Sequence, residues 1–132
     1  MRPIDPKQVS LLVHPLDAAL PTEDQSVWHL RGLTLRERAY VQSQGARLIG
    51  AGAIAEEQKF ELRTGDAQRW RVKFGLVGVD NFPGYMRERG PLDGAMVAAD
   101  SFLDTVPDPV IVWADEQIRR LTDVSVEDAG KS

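Results

Sequence analysis

The chain has 132 residues, 42% hydrophobic and 27% charged, an ordinary globular balance and too apolar for a wholly disordered polypeptide. Its net charge of −4 argues against non-specific nucleic-acid binding, which draws on a surplus of Lys and Arg. There is no cysteine, which excludes disulfides, thiolate zinc sites and a cysteine nucleophile; with neither a signal-peptide core nor a run of about 18 apolar residues, neither export by that route nor membrane spanning is expected.

Residues 1–25 carry Pro3, Pro6, Pro15 and Pro21 and read as an extended arm, with Val9–His14 a strand or part of one. Two placements stay open: packing against a neighbouring subunit, or an edge strand on the same subunit. Residues 26–132 read as a single α+β domain. In Ser26–Arg31, Trp28 and Leu30 alternate with Val27, His29 and Arg31, which predicts a strand with the indole and the leucine on one face. Gly32 and Leu33 turn the chain. Thr34 stands three residues before Glu37, the capping-box spacing, and opens a helix from Leu35 to about Ser43 with Leu35, Ala39 and Tyr40 on its apolar side. Gly45 is the expected stop.

Ala46–Ala55 is rich in Gly and Ala, and Phe60–Arg63 is a short strand candidate. From Ala67 to Val79 two periods compete. Trp70, Val72, Phe74 and Leu76 alternate, whereas Trp70, Phe74 and Val77 recur at helical spacing; Asp66 as a cap favours a helix to about Leu76. Asp80–Gly84 is a turn. Residues 85–99 form a polar loop, open to being a hairpin around Gly90-Pro91 and Asp93-Gly94, and a helical turn follows at Asp100–Thr105. The last helix is capped by Asp108, has Pro109 in its first position and carries the stripe Val110, Trp113, Ala114, Ile118, Leu121, with Arg119 and Arg120 in its final turn.

Chemistry is thinly signalled. Gly50-Ala51-Gly52-Ala53-Ile54-Ala55 matches a dinucleotide-binding string, but no buried strand of adequate length precedes it. His14 and His29 lack the surrounding pattern of a metal site, and the acid pairs read as solvated charge. Arg63, Arg69, Arg71 and Lys73, interspersed with acids, read as a solvated face. Each Trp falls on an apolar stripe and suits core packing. No catalytic, metal or cofactor residue is assigned, and an enzyme is not expected.

Two stretches carry a resemblance. Trp28-His29-Leu30-Arg31-Gly32-Leu33-Thr34-Leu35-Arg36-Glu37-Arg38 resembles the x-L-R-x-L-T-x-R-E opening of small proteins from tailed-bacteriophage structural gene modules, tail assembly chaperones among them. Gly75-Leu76-Val77-Gly78-Val79-Asp80-Asn81-Phe82 resembles a G-L-V-G-x-x-N-F segment of similar phage proteins, and the Pro-started last helix followed by an end in Gly-Lys-Ser is similar to theirs. The resemblance implies a non-enzymatic assembly or virion structural protein, either chaperone-like or a head, neck or tail component. It implies phage tail or capsid proteins as partners, a homo-oligomer as an option, and host cytoplasm during assembly with retention in the virion as an option. The outside alternative is a bacterial α+β module that binds a small molecule or peptide; it predicts a closed apolar pocket with a few inward polar groups, where assembly predicts broad exposed patches.

The expected architecture is therefore α+β: a small, mostly antiparallel sheet of Val9–His14, Ser26–Arg31 and Phe60–Arg63, with about three helices (35–43, 67–76, 109–121) packed on it. Trp28, Leu30 and Leu33 set the sheet–helix junction and, with Gly78, Asp80, Asn81 and Phe82, are the expected partner contacts.

Overall fold

Alternating residues at the start of the domain do build a strand, and it is the centre of the sheet. The computed structural model describes residues 8–50 and 67–130, with side-chain surroundings over 8–44 and 67–123. In chain order the elements are β1 (Ser10–Val13), β2 (Val27–Leu30), α1 (Leu35–Gly50), α2 (residues 67–75), β3 (Leu76–Asp80), β4 (Arg87–Arg89), β5 (Met96–Ala98), α3 (Asp100–Leu103) and α4 (Asp108–Gly130). A 3-10 turn, Thr22–Asp24, lies between β1 and β2. The chain is an α+β protein with two small antiparallel sheets, β1-β2-β3 and β4-β5.

Strand β2 pairs with β1 on one side (Leu12 opposite Trp28) and with β3 on the other (Trp28 opposite Val79). Of the two placements open for the arm, the same-subunit edge strand is the one observed for Ser10–Val13. His14 closes that strand onto α4, its ring edge-on to Trp113 at 5.1 Å while Nδ1 accepts the Leu16 N–H at 3.0 Å. The third strand is β3; the expected Phe60–Arg63 lies outside the described residues. Both periods competing over 67–79 are realised in succession. Trp70 and Phe74 lie 5.0 and 5.8 Å from the Tyr40 ring, so their helical face is held by α1. Beyond Gly75, the β-branched Val77 and Val79 continue as strand with no loop between. Residues 85–99 take the hairpin option as β4-β5, whose turn places Asp93 and Gly94 at φ 55° and 72°.

The core gathers Trp28, Leu30 and Leu33 with Val72, Phe74, Leu76, Phe102, Ala114 and Ile118. Ile118 is 0% exposed, a burial that stabilises by about 1.5–3 kcal/mol. Helix α4 crosses so close to the β2–α1 turn that a Cβ on Gly32 would lie 3.0 Å from the Thr122 nitrogen. Likewise a Cβ on Gly75 would lie 2.5 Å from Ile118 Cδ1. Glycine at these two positions is a packing requirement.

Three expectations about the helices are corrected. The buried side of α1 is not Leu35 and Ala39, since Leu35 is 79% exposed; Glu37 and Val41 face inward instead. The capping box explains it. Thr34 N–H donates to Glu37 Oε1 (2.9 Å), Glu37 N–H donates to Thr34 Oγ1 (3.2 Å), and Arg31 grips both Glu37 oxygens at 2.8 Å, so the carboxylate is pinned on the core side. Helix α1 also runs through Gly45 to Gly50, because a glycine weakens a helix interior without ending it. Helix α4 begins with Asp108 inside it, Pro107 O accepting from Val110 and Ile111, and continues to Gly130. Arg119 and Arg120 are therefore mid-helix, paired with Asp115 and Glu116 one turn back.

Two ion-pair groups tie α2 to its neighbours. Asp115, 1% exposed in the middle of the α4 stripe, is held by Arg71 from α2 through both carboxylate oxygens. Lys73, 6% exposed and seated over the Trp70 ring, reaches Glu88 and Asp100 at 3.0 Å each. Arg69 adds bonds to Asp100 and Asp104 at 2.9 Å. Thus Arg69, Arg71 and Lys73 are not the solvated face expected but clamp α2 to α4, α3 and the β4-β5 hairpin; Arg63, the fourth of that run, lies outside the described residues.

Candidate protein-contact surface

Asn81 makes the surface possible. It adopts φ 58°, the left-handed region that Asn tolerates better than most residues, and so reverses the chain after β3. Its side-chain amide donates to the carbonyls of Glu23 (3.0 Å) and Gln25 (3.2 Å), and Ser26 Oγ donates to Asn81 O at 2.8 Å. The arm's end and the β3 turn are stapled together. Gly84, at φ 89° with open space where a Cβ would stand, completes the turn.

Phe82 then drops onto an aromatic layer, 5.4 Å from Trp28 and 5.8 Å from Phe102; Tyr85 meets Phe102 edge-on at 5.2 Å. The Tyr85 hydroxyl donates to Leu76 O at 3.0 Å, and burial pushes its pKa up, a rise only partly offset by Arg87. Between this turn and α3 lies a shallow, mainly apolar depression of about 450 Å3, lined by Phe82, Pro83, Gly84, Met86, Ser101, Phe102 and Thr105. Met86 on its rim is 60% exposed. The neighbouring charges steady it. Burial opposes ionisation of Asp100, but hydrogen bonds from Lys73 and Arg69 prevail and hold its carboxyl below the ordinary value. The Asp100 N–H and Lys73 lower Glu88 in the same way.

A second apolar surface lies along β1. As an outer strand it has one side with no partner strand among the described residues, Leu11 is 62% exposed and Val9 44%, and no charged residue falls between Gln8 and Val13. Natural edge strands are commonly guarded by charge or proline. Leu16 and Leu20, in the connection to β2, are 73% and 43% exposed.

The expected contact residues divide sharply. Trp28, Leu30 and Leu33 are 3%, 0% and 4% exposed, so they are corrected from partner contacts to core; their place at the sheet–helix junction is what buries them. Gly78 lies beneath the His29 ring, where a Cβ would stand 3.2 Å from Nδ1, and Asp80 Oδ2 is 2.9 Å from His29 Nε2. Asn81 is the staple. Phe82 alone of the seven lines the depression, and Trp28 is brought beneath it. Met86, Ser101 and Thr105 escaped sequence reading because their neighbourhood exists only once the hairpin and α3 fold back. Asp115 was detectable: a lone acid among Ile111, Ala114, Ile118 and Thr122 on a helical wheel.

Among the described residues no group of three or more His, Asp or Glu is placed to hold a metal ion. Nor is any helix there long and apolar enough to cross a membrane. Arg47-Leu48-Ile49, before the Gly50–Ala55 string, belongs to α1 and is no strand, so the dinucleotide geometry is lacking at its start; residues 51–55 lie outside the described ones. The chain matches no protein-family model, no curated protein and no solved structure.

Proposed function

We propose that this α+β protein is a non-enzymatic component or helper of tailed-bacteriophage assembly, acting through contacts with tail or capsid proteins. The observation that carries the reading is the apolar depression at the end of the segment resembling G-L-V-G-x-x-N-F. There Phe82 and Met86 present apolar surface on a turn held rigid by Asn81. A rigid apolar hollow receives a partner's side chain at small entropic cost. The outer edge of β1, without a partner strand among the described residues, supports the same reading, since an added strand pairs with it through main-chain hydrogen bonds. Such a protein acts in the host cytoplasm and, as a structural component, stays in the particle.

Mass spectrometry of purified particles and of assembly intermediates, from a phage carrying this gene, tests the proposal. Presence in mature particles makes the chain a virion component, and presence only in intermediates makes it a chaperone. Absence from both sinks the proposal. In either positive case, Met86→Glu is expected to release the chain from its partner without unfolding it.

A second reading, a small-molecule or peptide-binding module, is favoured by one observation. A cleft of about 200 Å3 lies among α1, α2 and α4, open and walled by arginines where that reading predicted a closed apolar pocket.

A further inference from the structure

We propose that the cleft among α1, α2 and α4 binds a carboxylate carried on a short apolar group. Arg38, Arg71 and Arg119, one from each helix, line it together with Leu33, Val41 and Thr122. Beneath them Asp115 is 1% exposed, so its charge is compensated within the protein. Arg71 gives Asp115 its Nε and one terminal nitrogen, and Arg119 brings its Nε to 3.3 Å from Oδ2. One buried carboxylate thereby holds two guanidinium groups against one end of the cleft.

A guanidinium has five N–H donors in a planar fork. Arg71 engages Nε and Nη2 with Asp115, Arg119 is ion-paired with it through Nε, and among the described residues Arg71 Nη1 and both terminal nitrogens of Arg119 make no hydrogen bond. Those donors match a second carboxylate, opposite the first. Asp123 also stands on the rim. Three positive charges against Asp115 and Asp123 leave one unit of positive charge, which suits a monoanion. Leu33 and Val41, 4% and 5% exposed, supply an apolar wall that a free inorganic anion does not use. A dry cavity of about 150 Å3 takes a benzene ring, so this volume suits a phenyl-sized or leucyl-sized group, with the rest of the ligand in solvent. Such a ligand is either a free carboxylic acid or the C-terminus of a polypeptide. The inference is independent of the contact surface around Phe82.

The test is a heteronuclear NMR titration of the full chain at low salt with phenylacetate, 2-phenylethanol, inorganic phosphate, and acetyl-Gly-Leu as free acid and as amide. Saturable shifts at the Gln42 and Thr122 amides are expected with the two acids and not with the neutral analogues or phosphate. Arg38→Gln and Arg119→Gln are each expected to weaken binding about tenfold, the loss of one charge-assisted hydrogen bond. Neither removes the Arg71–Asp115 clamp, and an unchanged spectrum without ligand verifies the fold. Tighter binding of the peptide acid assigns a chain terminus and tighter binding of phenylacetate a free acid; both support the site. The proposal is overturned if neither acid saturates by about 20 mM, if amide, alcohol or phosphate binds as well, or if both variants bind like the parent.

Discussion

Leu33 donates its buried backbone N–H to Thr122 Oγ1 at 2.9 Å, and the same hydroxyl donates to the Ile118 carbonyl at 2.8 Å. A turn at the start of the domain is thus closed by a helix near its end. Replacing Thr122 by the isosteric Val leaves that N–H unsatisfied in the core, a cost of about 1–3 kcal/mol. Urea unfolding of Thr122→Val should show a lower midpoint at unchanged slope, with Thr122→Ser close to the parent. Equal midpoints for Val and parent would remove the bond from the account.

Gly75 is where α2 becomes β3 against Ile118. Gly75→Ala places a methyl 2.5 Å from Ile118 Cδ1, so the helical gain of alanine is outweighed by overpacking of about 1–3 kcal/mol. Because Ile118→Ala removes Cδ1, Cγ1 and Cγ2, which a Cβ on Gly75 would meet at 2.5, 2.7 and 2.9 Å, the double variant should be more stable than the sum of the two losses predicts. Strict additivity in thermal unfolding would contradict the contact.

Asn81 does two things that substitution can separate. Gly keeps the left-handed backbone and loses the amide bonds to Glu23 and Gln25; Ala loses both. Stability should rank parent, Asn81→Gly, Asn81→Ala, with about 1 kcal/mol between the last two. Protease nicking in residues 14–25 should rise in the same order. If Ala equals Gly, backbone conformation at this turn is not limiting.

Glu37 makes stability depend on acid. Burial favours its protonated form, but the Arg31 and Thr34 hydrogen bonds outweigh that and hold the carboxyl below its ordinary 4.5. The folded state therefore binds fewer protons than the unfolded one in this range. The contribution is complete above the unfolded value and is lost as pH falls through the folded one. Asp100 and Glu88 are shifted in the same direction, so their contributions decay in the acid range too. Glu37→Gln still accepts from Thr34 but leaves Arg31 buried without its charge partner, a loss of about 3 kcal/mol at neutral pH. The gap to the parent should narrow in a urea series as pH falls below the ordinary 4.5 and the paired carboxylate takes up its proton. A gap that stays constant with pH would assign the loss to packing.

What the sequence determined by itself was local. The strand at Val27–Leu30, the capping box of Thr34 and Glu37 and the apolar stripe of α4 are each written within a few neighbouring residues, where backbone sterics and helical spacing suffice. Tertiary structure decided the rest. In α1 Val41 is buried because the core cluster closes over it, and the passage from α2 into β3 falls at Gly75, packed against Ile118 from α4. The clamps by Lys73 and Arg71 span 15 and 44 residues to Glu88 and Asp115, and the Leu33–Thr122 bond spans 89. Seven residues looked alike as contacts, yet burial claimed Trp28, Leu30 and Leu33, backbone and hydrogen-bond geometry claimed Gly78, Asp80 and Asn81, and Phe82 kept one edge at the surface. A side chain's exposure is set by what folds over it, and no window of neighbouring sequence contains that partner.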